Sequence, residues 1–423
     1  MYDKASIALI PSGYKGGSVN KVYSVLPSNG DGDFYHSRSS IATRVNKDGL
    51  IESVGYAPRL DYTGNVDCPH LLLEPNRTNI IPYSEDFSNS AWTKERATIN
   101  ANTSTSPDGS VNASKLIEDT QSGVHSIFEG VAVSNNIYTF SCFVKKSERD
   151  YCFLQIVTNL GRYTAVFDLV NGVVTDTQTV SSPTNTSNKI EDYGSGWYRV
   201  SVTSSNTAST TGYFQVGLSN SATPSYGSFK QPTYTGDGSG SIQIWGAQVE
   251  AGDYATSYIP TSGSAVTRSA DICNDAGTSA EFNDSEGVLF AEVEFLDNAT
   301  TGYISVSDGT ADNRCIIYSA ANQIVVATKS GGSGISKSAT GTPTNLNKIA
   351  VAYSSSGSKF FLNGSNETGT GSFSTTPRVF AANTLDQINF DISDGSNDLY
   401  ARVKQVIYFN EALSDSELQT LTS

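Results

Sequence analysis

The sequence is poor in the residues on which metal binding and catalysis usually depend. Its 423 residues include three histidines, five cysteines and one methionine. The histidines (His36, His70 and His125) are far apart and no CxxC pair occurs, which argues against a structural zinc site. The HExxH, GxSxG, Walker and dinucleotide-binding motifs are absent as well. We therefore expect a protein that is not an enzyme and that has no cofactor.

Positive charge is also scarce. The chain has 27 Lys and Arg against 42 Asp and Glu, a formal net charge of −15, and only 16% of its residues are charged. Since affinity for nucleic acids comes largely from neutralising phosphates, this balance predicts no nucleic-acid partner. No apolar run approaches the ~20 residues that span a bilayer, and the start lacks a signal-peptide pattern. We expect synthesis in a cytoplasm and no membrane insertion.

The cysteines are few, scattered and odd in number: Cys68, Cys142, Cys152, Cys273 and Cys315. This is not the pattern of a disulfide framework. Cys142 and Cys152 could face each other across a hairpin that turns near Lys146 to Arg149. The favoured interpretation is two small buried apolar side chains, and a disulfide is the alternative.

What the sequence does contain is typical of an all-β protein. It has 37 Gly, abundant Ser, Thr and Asn, and 10% aromatic residues, a combination that favours short strands joined by polar turns. Alternating strands such as NIYTFSCFVKK and GWYRVSVTSS recur from about Asn79 to Asp271, and the pattern begins again at Ile272. We predict two jelly-roll β-sandwich domains in tandem, 78–271 and 272–423, preceded by an extended, mostly irregular segment, 1–77.

Smaller features complete the predicted organisation. Ser414 and Glu417 form a capping box, which predicts one short C-terminal helix. The polar stretches at 99–112, 180–188, 204–211 and 330–342 are predicted to be surface loops or turns.

The two-residue period of the middle strands predicts an interior face and an outward face. The interior face comprises Tyr138, Phe140, Cys142, Cys152, Leu154, Ile156, Tyr198, Val200, Val202, Phe214 and Val216. The outward face comprises Phe143, Lys145, Tyr151, Gln155, Trp197, Arg199, Tyr213 and Gln215. Aromatic rings beside amides and a guanidinium suit a glycan or a protein partner, and packing within the chain is the third interpretation. We take these eight residues as the candidate glycan- or partner-binding site.

Carboxylate groups suggest two further hypotheses. Glu292 and Glu294 alternate on one strand with Asp297 just beyond, an acidic pattern comparable to that of laminarinase-type glycoside hydrolases. A charged outer strand face is the simpler interpretation, so a depolymerase remains an alternative. The loops NGDGD (29–33) and DISDGSND (391–398) offer oxygen ligands for Ca²⁺, although plain turns are the more common role of such clusters.

Several strings in the chain resemble a recurrent virion protein of tailed bacteriophages. They are MYDKASIALIPSGYK, VYSVLPSNGDGDF, SRSSIATRVNKDGLIESV, PRLDY, CPHLLLEPNRTNIIPYSEDFSNSAW and WGAQVEAGDYATSYIPTSGSAVTRSAD, and together they cover essentially 1–271. The middle domain resembles family 4/9-type carbohydrate-binding jelly rolls. The C-terminal part is similar to laminin-G/concanavalin A-like jelly rolls.

The resemblance implies a non-enzymatic structural protein at the virion surface. Its expected partners are other virion proteins, host-surface glycans and further copies of itself, for which we expect a trimer. A tail fibre or other appendage used in host attachment is the first hypothesis. A capsid decoration or head fibre that makes only protein–protein contacts is the second, and a polysaccharide depolymerase that uses Glu292 and Glu294 is the third.

Overall fold

A computed structural model describes residues 2–13, 20–64, 68–298 and 302–423. Residues 1, 14–19 and 65–67 of the predicted N-terminal segment lie outside the described residues. The remainder of that segment forms short 3₁₀ helices (Tyr2–Lys4 and Pro11–Gly13) and short strands. The strands are β1 (Ala5–Leu9), β2 (Lys21–Val22), β3 (Phe34–Ser37), β4 (Ala42–Val45), β5 (Ile51–Val54), β6 (Arg59–Asp61), β7 (His70–Leu73) and β8 (Arg77–Asn79).

The middle of the chain is almost entirely β-structure. Its strands are β9 (Thr93–Glu95), β10 (Ala97–Thr105), β11 (Val111–Glu118), β12 (Ser122–Gly123), β13 (Ser126–Val133), β14 (Asn136–Lys146), β15 (Tyr151–Thr158), β16 (Gly161–Asp168), β17 (Val173–Ser181), β18 (Ser187–Asp192), β19 (Trp197–Asn206), β20 (Thr210–Ser219), β21 (Tyr234–Thr235), β22 (Ser241–Ala251) and β23 (Val266–Arg268).

The C-terminal part adds eleven strands and two helices to the described chain. The strands are β24 (Ile272–Asn274), β25 (Gly287–Phe295), β26 (Tyr303–Ser307), β27 (Arg314–Ala320), β28 (Gln323–Ser330), β29 (Ser333–Thr340), β30 (Asn347–Ser354), β31 (Gly357–Leu362), β32 (Ser365–Asn366), β33 (Gln387–Asn389) and β34 (Ala401–Phe409). The helices are α1 (Ser372–Thr375) and α2 (Asp415–Thr422). The predicted all-β fold class is confirmed.

The chain divides into two compact units that differ from the three predicted segments at the N-terminal end. The first unit comprises Met1–Ile41, Val54–Pro75 and Ser269–Ser423, and the second comprises Ala42–Ser53 and Asn76–Arg268. Most of the N-terminal segment therefore joins the first unit, and Ala42–Ser53 joins the second. The physical reason is strand pairing, since β1 and β7 both hydrogen-bond to β34.

The first unit contains an eight-stranded and a five-stranded sheet around one core. The eight-stranded sheet runs β32-β31-β30-β25-β34-β7-β6 with β1 also on β34, and the five-stranded sheet runs β29-β28-β27-β26-β33. Ile7, Leu9 and Leu71 from the N-terminal strands are buried in the same core as Leu289 and Ile317. The N-terminal strands β1, β6 and β7 are short, and they extend a sheet whose longer strands come from the C-terminal part.

The second unit is a sandwich of two six-stranded sheets. The β14 sheet runs β10-β11-β22-β14-β19-β18, and the β15 sheet runs β17-β16-β15-β20-β13-β9. All eleven residues predicted to face the interior pack in the core between these sheets, so that prediction is confirmed. Alternation along each strand was sufficient to separate inside from outside, because side chains on a strand project to opposite faces.

Several stretches predicted to be loops are partly strand. Residues 99–112 lie in the β10–β11 hairpin, 180–188 includes the end of β17 and the start of β18, 204–211 includes the end of β19 and the start of β20, and 330–342 contains β29. β10, β17, β18 and β29 stand at the edges of their sheets. Polar, unpatterned sequences are common there because an edge strand is exposed to solvent and avoids further pairing.

The C-terminal helix α2 begins as predicted. The Ser414 side chain accepts from the backbone N–H of Glu417, and the Glu417 side chain accepts from the backbone N–H of Ser414. Leu418 and Leu421 then pack in a small core with Phe290 and Ile407 on the eight-stranded sheet. No helix in the described ranges is long and apolar enough to cross a membrane.

The cysteines are free thiols, as the favoured interpretation held. Cys142 on β14 and Cys152 on β15 belong to different sheets and both are fully buried in the sandwich core. Burial raises the pKa of Cys142 to about 12, because the core does not solvate a thiolate. Both residues therefore act as small apolar side chains.

Glu129 is an ionisable group inside the sandwich of the second unit. It pairs with Phe214 across β13 and β20 and shares its inward direction, it is 4% exposed, and its Oε2 has no hydrogen-bond partner among the described residues. Burial raises the pKa of Glu129 to about 7. Because the folded pKa lies above that of the unfolded chain, the contribution of Glu129 to stability is complete below about pH 4.3 and is lost as pH rises through 7.

We expect Glu129→Gln to stabilise the protein at pH 8 by about 2 kcal/mol and to have little effect at pH 4.5, because the variant removes only the ionisable form. Denaturant unfolding of both proteins from pH 4.5 to 8.5 measures this difference. A difference between variant and parent that stays constant over this range would contradict the assignment.

Candidate functional site

The eight predicted site residues do not form a single surface. Phe143, Lys145, Trp197 and Arg199 lie on β14 and β19 of one sheet, whereas Tyr151, Gln155, Tyr213 and Gln215 lie on β15 and β20 of the other. All eight point away from the interior, as predicted. In a two-sheet sandwich, however, the outer faces of the sheets point in opposite directions. The structure therefore separates the set into two groups of four.

The group on the β14 sheet is largely covered by the chain itself. Phe143 is fully buried, and Trp197 and Arg199 are each 2% exposed. The Trp197 Nε1–H donates to the backbone oxygen of Thr105 at 3.1 Å, and Arg199 Nη1 donates to the backbone oxygen of Thr256 at 2.6 Å. Only Lys145 is partly accessible. Of the three interpretations, packing within the chain describes this group.

An aromatic cluster explains why this face is closed. The ring of Phe143 contacts those of Trp245, Tyr258 and Tyr193, with centroids 5.3, 6.0 and 4.9 Å away. Tyr258 comes from the segment after β22, which crosses the outer face. Its backbone oxygen accepts from the Thr43 hydroxyl at 2.6 Å, so both ends of the second unit's sequence hold this cover in place.

The group on the β15 sheet lies on a surface whose centre is a row of polar side chains, of which Gln155 and Thr164 are fully buried and Gln215 is 3% exposed. Gln215 pairs with Phe128 on one side and with Gln155 on the other, and the row continues through Thr164 to Gln178. Equivalent positions on adjacent strands lie about 4.8 Å apart. We call the outward-facing residues of β13, β20, β15, β16 and β17 the amide face.

The amides of this face are held by hydrogen bonds. Gln155 Nε2 donates to Thr164 Oγ1 at 2.7 Å, and Gln215 Nε2 donates to Ser126 Oγ at 2.5 Å. Arg162 Nη1 donates to Gln155 Oε1 at 3.1 Å. Each amide is therefore fixed in one orientation before any ligand arrives, which lowers the entropy cost of binding.

A loop after β20, Ser225–Thr233, lies against the amide face. We call it the Phe229 loop. It is closed by a backbone bond from Thr233 N–H to Ser225 O at 2.8 Å. The backbone oxygen of Phe229 accepts from Gln155 Nε2 at 2.9 Å, and Gln231 Nε2 donates to Gln215 Oε1 at 2.7 Å.

Two aromatic rings on this surface are accessible. Tyr213 is 44% exposed and Phe229 is 54% exposed. Phe128 is half-buried and meets Tyr213 edge to face, at a centroid distance of 6.2 Å. The Arg162 guanidinium lies 4.2 Å from the centre of the Phe229 ring. Accessible rings suit the apolar face of a sugar, while the amides beneath them are buried and hold the surface in one shape.

Sequence reasoning identified Tyr213, Gln155 and Gln215 but missed Arg162 and Phe229. Arg162 could have been found, because β15 and β16 form a hairpin in which Val157 pairs with Arg162. Nothing in the sequence places Phe229, since it lies in an irregular loop that returns to the sheet through side-chain and backbone contacts.

The acidic strand of the first unit offers no such open surface. Glu292 and Glu294 do share one face of β25, as predicted. Glu294 Oε1 accepts from Arg402 Nη1 at 2.5 Å, however, and Glu292 Oε2 accepts from Gln405 Nε2 at 2.7 Å. Asp297 is 9% exposed. The pair is thus engaged with its neighbours on β34, as expected of a charged outer strand face.

The loops considered for calcium use their carboxylates within the chain. Asp33 Oδ1 accepts from the backbone N–H of Ser24, and Asp391 Oδ1 accepts from that of Ser393. Burial raises the pKa of Asp391 to about 6. In the part of the chain that the structure describes, no three His, Cys, Asp or Glu side chains come together as a metal site.

The first unit also has an open pocket of about 660 Å³. It is lined mainly by polar groups, including Asn283, Asp284 and Glu286. Its aromatic residues, Phe282 and Phe380, are 8% and 6% exposed and pack on tyrosines of the core. Because neither ring presents a free face, the amide face remains the stronger candidate.

Comparisons with known proteins concern the fold. No protein-family model matches the sequence, and no curated protein is similar to it in sequence. Among solved structures, the chain is similar to the CBM40 domain of the Ruminococcus gnavus IT-sialidase, with 13% identity and a TM-score of 0.29 over 36% of this chain and 94% of that one. It is also similar to domains LG4-5 of the mouse laminin alpha1 chain, with 10% identity and a TM-score of 0.24 over 70% and 88%.

A third similar structure is the Trypanosoma rangeli sialidase, with 10% identity and a TM-score of 0.28 over 73% of this chain and 60% of that one. At these identities and TM-scores the likeness carries no argument about this chain. The candidate site therefore has to be argued from its own residues.

Proposed function

We propose that this chain is a non-catalytic, glycan-binding protein of a tailed-phage particle surface, and that the amide face is its contact surface. The observation that carries the proposal is the pair of accessible rings, Tyr213 and Phe229, on a face whose amides are already oriented by hydrogen bonds. The resemblance of 1–271 to phage virion proteins supports the particle surface as the location. Other virion proteins and further copies of the chain, as a trimer, are its proposed structural partners.

The chemistry of the amide face supports binding without catalysis. Gln155, Gln215 and Thr164 are neutral and buried, so they shape the surface but cannot act as a nucleophile or as a general acid at neutral pH. The carboxylate pair considered for hydrolysis, Glu292 and Glu294, is bonded to Gln405 and Arg402. A glycan-binding role needs the accessible rings and no catalytic group.

Tyr213→Ala and Phe229→Ala should each weaken glycan binding about tenfold, because each variant removes one ring from the surface on which a sugar would stack. A glycan array with the full chain identifies a bound saccharide, and titration calorimetry measures the dissociation constant of each variant. Tyr56→Ala is the matched control, since Tyr56 is 55% exposed and belongs to the first unit.

The result that would overturn the proposal is equally specific. If the array detects no glycan, the proposed function is wrong. If a glycan binds equally well to the parent and to both ring variants, the amide face is not the site.

A further inference from the structure

Arg162 is the charged group at the centre of the amide face. It is half-buried on β16, its guanidinium lies over the ring of Phe229, and Nη1 donates to Gln155 Oε1. Burial lowers its pKa from the usual value, which reflects the cost of removing water from the cation. The guanidinium is therefore both partly desolvated and held in position from two sides.

Among the residues that the structure describes, no carboxylate compensates this charge. Within the described chain, no carboxylate oxygen lies within 4 Å of the Arg162 guanidinium, whose polar contact is the one to Gln155. Arg149, by contrast, is bonded to Glu118, and Arg59 is bonded to Glu74 at 2.6 Å. In a chain with 42 acidic residues and 27 basic ones, the arginine of the candidate site lacks an acidic partner.

The nearest acidic residue along the adjacent strand is already engaged. Val180 of β17 pairs with Arg162, and Asp176 lies four residues away on the same strand, or roughly 13 Å. Asp176 Oδ2 accepts from the Tyr226 hydroxyl at 2.6 Å. The Phe229 loop instead adds Lys230, a second cation, directly after the exposed ring.

Partial desolvation of a cation that has no anionic partner lowers the stability of the folded protein. Groups that are destabilised in this way are concentrated at functional sites. The planar fork of a guanidinium matches a carboxylate, which it binds through two parallel N–H groups. Nη1 is used by Gln155, while Nε and Nη2 have no acceptor among the described residues.

We propose that the amide face selects acidic saccharides, whose ring carboxylate binds Arg162 while the sugar stacks on Phe229 or Tyr213. This inference rests on the proposed glycan-binding function and adds the chemical class of the ligand. The buried amides of Gln155 and Gln215 hold Arg162 and the Phe229 loop in place, and Lys230 adds a second positive charge in that loop.

The test compares acidic oligosaccharides with their own methyl esters, in which the carboxylate is neutralised by one added methyl group. A panel of uronate oligomers and their esters is titrated against the full chain. We expect the acid of the bound pair to bind at least tenfold more tightly than its ester, and Arg162→Gln to remove that preference. Arg162→Lys should restore part of it, because it keeps the charge without the planar fork.

Lys189→Gln is the matched control. It removes one positive charge, as Arg162→Gln does, but from an exposed side chain on β18 of the β14 sheet, where it pairs with Glu191. We expect it to leave the acid–ester preference unchanged. If it lowers the preference as much as Arg162→Gln does, the effect belongs to net charge and the inference is wrong.

The possible failures are distinguishable. Equal binding of acid and ester, or binding of neutral glycans alone, overturns the acidic class while the glycan-binding proposal stands. Failure of every acidic, esterified and neutral saccharide to bind overturns both.

Discussion

Replacing Asp271 by asparagine should lower the free energy of unfolding by about 3–5 kcal/mol, because it removes the negative charge from a buried ion-pair network. Asp271 is 1% exposed. Its Oδ1 accepts from Arg38 Nη1 at 2.7 Å, and its Oδ2 is bonded to Arg59 Nη2. The substitution has nearly the same shape, so its cost reflects charge rather than a cavity.

The network around Asp271 joins distant parts of the first unit's sequence. Arg59 also binds Glu74, and the backbone N–H groups of Glu74 and Asp271 each donate to the other residue. Arg59 is fully buried and Arg38 is 4% exposed. Without the carboxylate of Asp271, the buried guanidiniums of Arg38 and Arg59 both lose the negative charge to which they are bonded.

Differential scanning calorimetry measures this effect, and the melting temperature should fall by about 10 °C. Asp394→Asn is the control, because Asp394 is exposed in the same unit and its carboxylate contacts only nearby residues. Hydrogen exchange should locate the loss of protection in β1, β7 and β34. If Asp271→Asn has the same melting temperature as the control, the ion-pair network does not stabilise the first unit, and its role is limited to determining which strands pair.

Trp197→Ala should destabilise the protein by about 3–5 kcal/mol, because it removes a large buried side chain and leaves a cavity. Trp197 is 2% exposed on β19, and its Nε1–H donates to the backbone oxygen of Thr105. The residue thereby fixes the end of β10 against the outer face of the β14 sheet. A role in ligand contact would require an exposed ring, which the structure does not provide here.

Denaturant unfolding of Trp197→Ala, Trp197→Phe and the parent separates the two contributions. Phenylalanine keeps most of the packing but loses the donor, so it should cost about 1 kcal/mol. Glycan binding below the unfolding transition should be the same for all three proteins. A folded Trp197→Ala protein that keeps its stability and loses glycan binding would restore Trp197 as a contact residue.

The candidate site could be predicted in part because strand periodicity is local. The alternation in β15 and β20 placed Gln155, Tyr213 and Gln215 on an outer face, and the structure agrees. The same alternation placed Phe143 and Trp197 outside as well. It did not reveal that Phe143 and Trp197 belong to the other sheet. The consecutive strands β14 and β15 lie in different sheets instead of forming a hairpin.

Accessibility was the second property that local reasoning could not supply. Phe143 and Tyr213 are both aromatic and both occupy outward positions in the alternation of their strands. Phe143 is nevertheless fully buried, whereas Tyr213 is 44% exposed. The difference comes from the segment containing Tyr258, which covers Phe143 on one outer face, whereas the Phe229 loop covers only the centre of the other and leaves Tyr213 accessible. Whether an outward-pointing residue is exposed therefore depends on other segments of the chain, which either cover the strand or leave it accessible.

The amino-acid sequence by itself determined the all-β class, the interior of the middle sandwich and the start of α2, because each follows from contacts within a few residues or from side-chain alternation. Tertiary structure alone decided that β1 and β7 complete a sheet built around β34, and that Arg162 and Phe229 meet at one point of the amide face. These contacts join residues far apart in the chain, and their partners are fixed by which strands pair and which loops return, information that no local pattern carries.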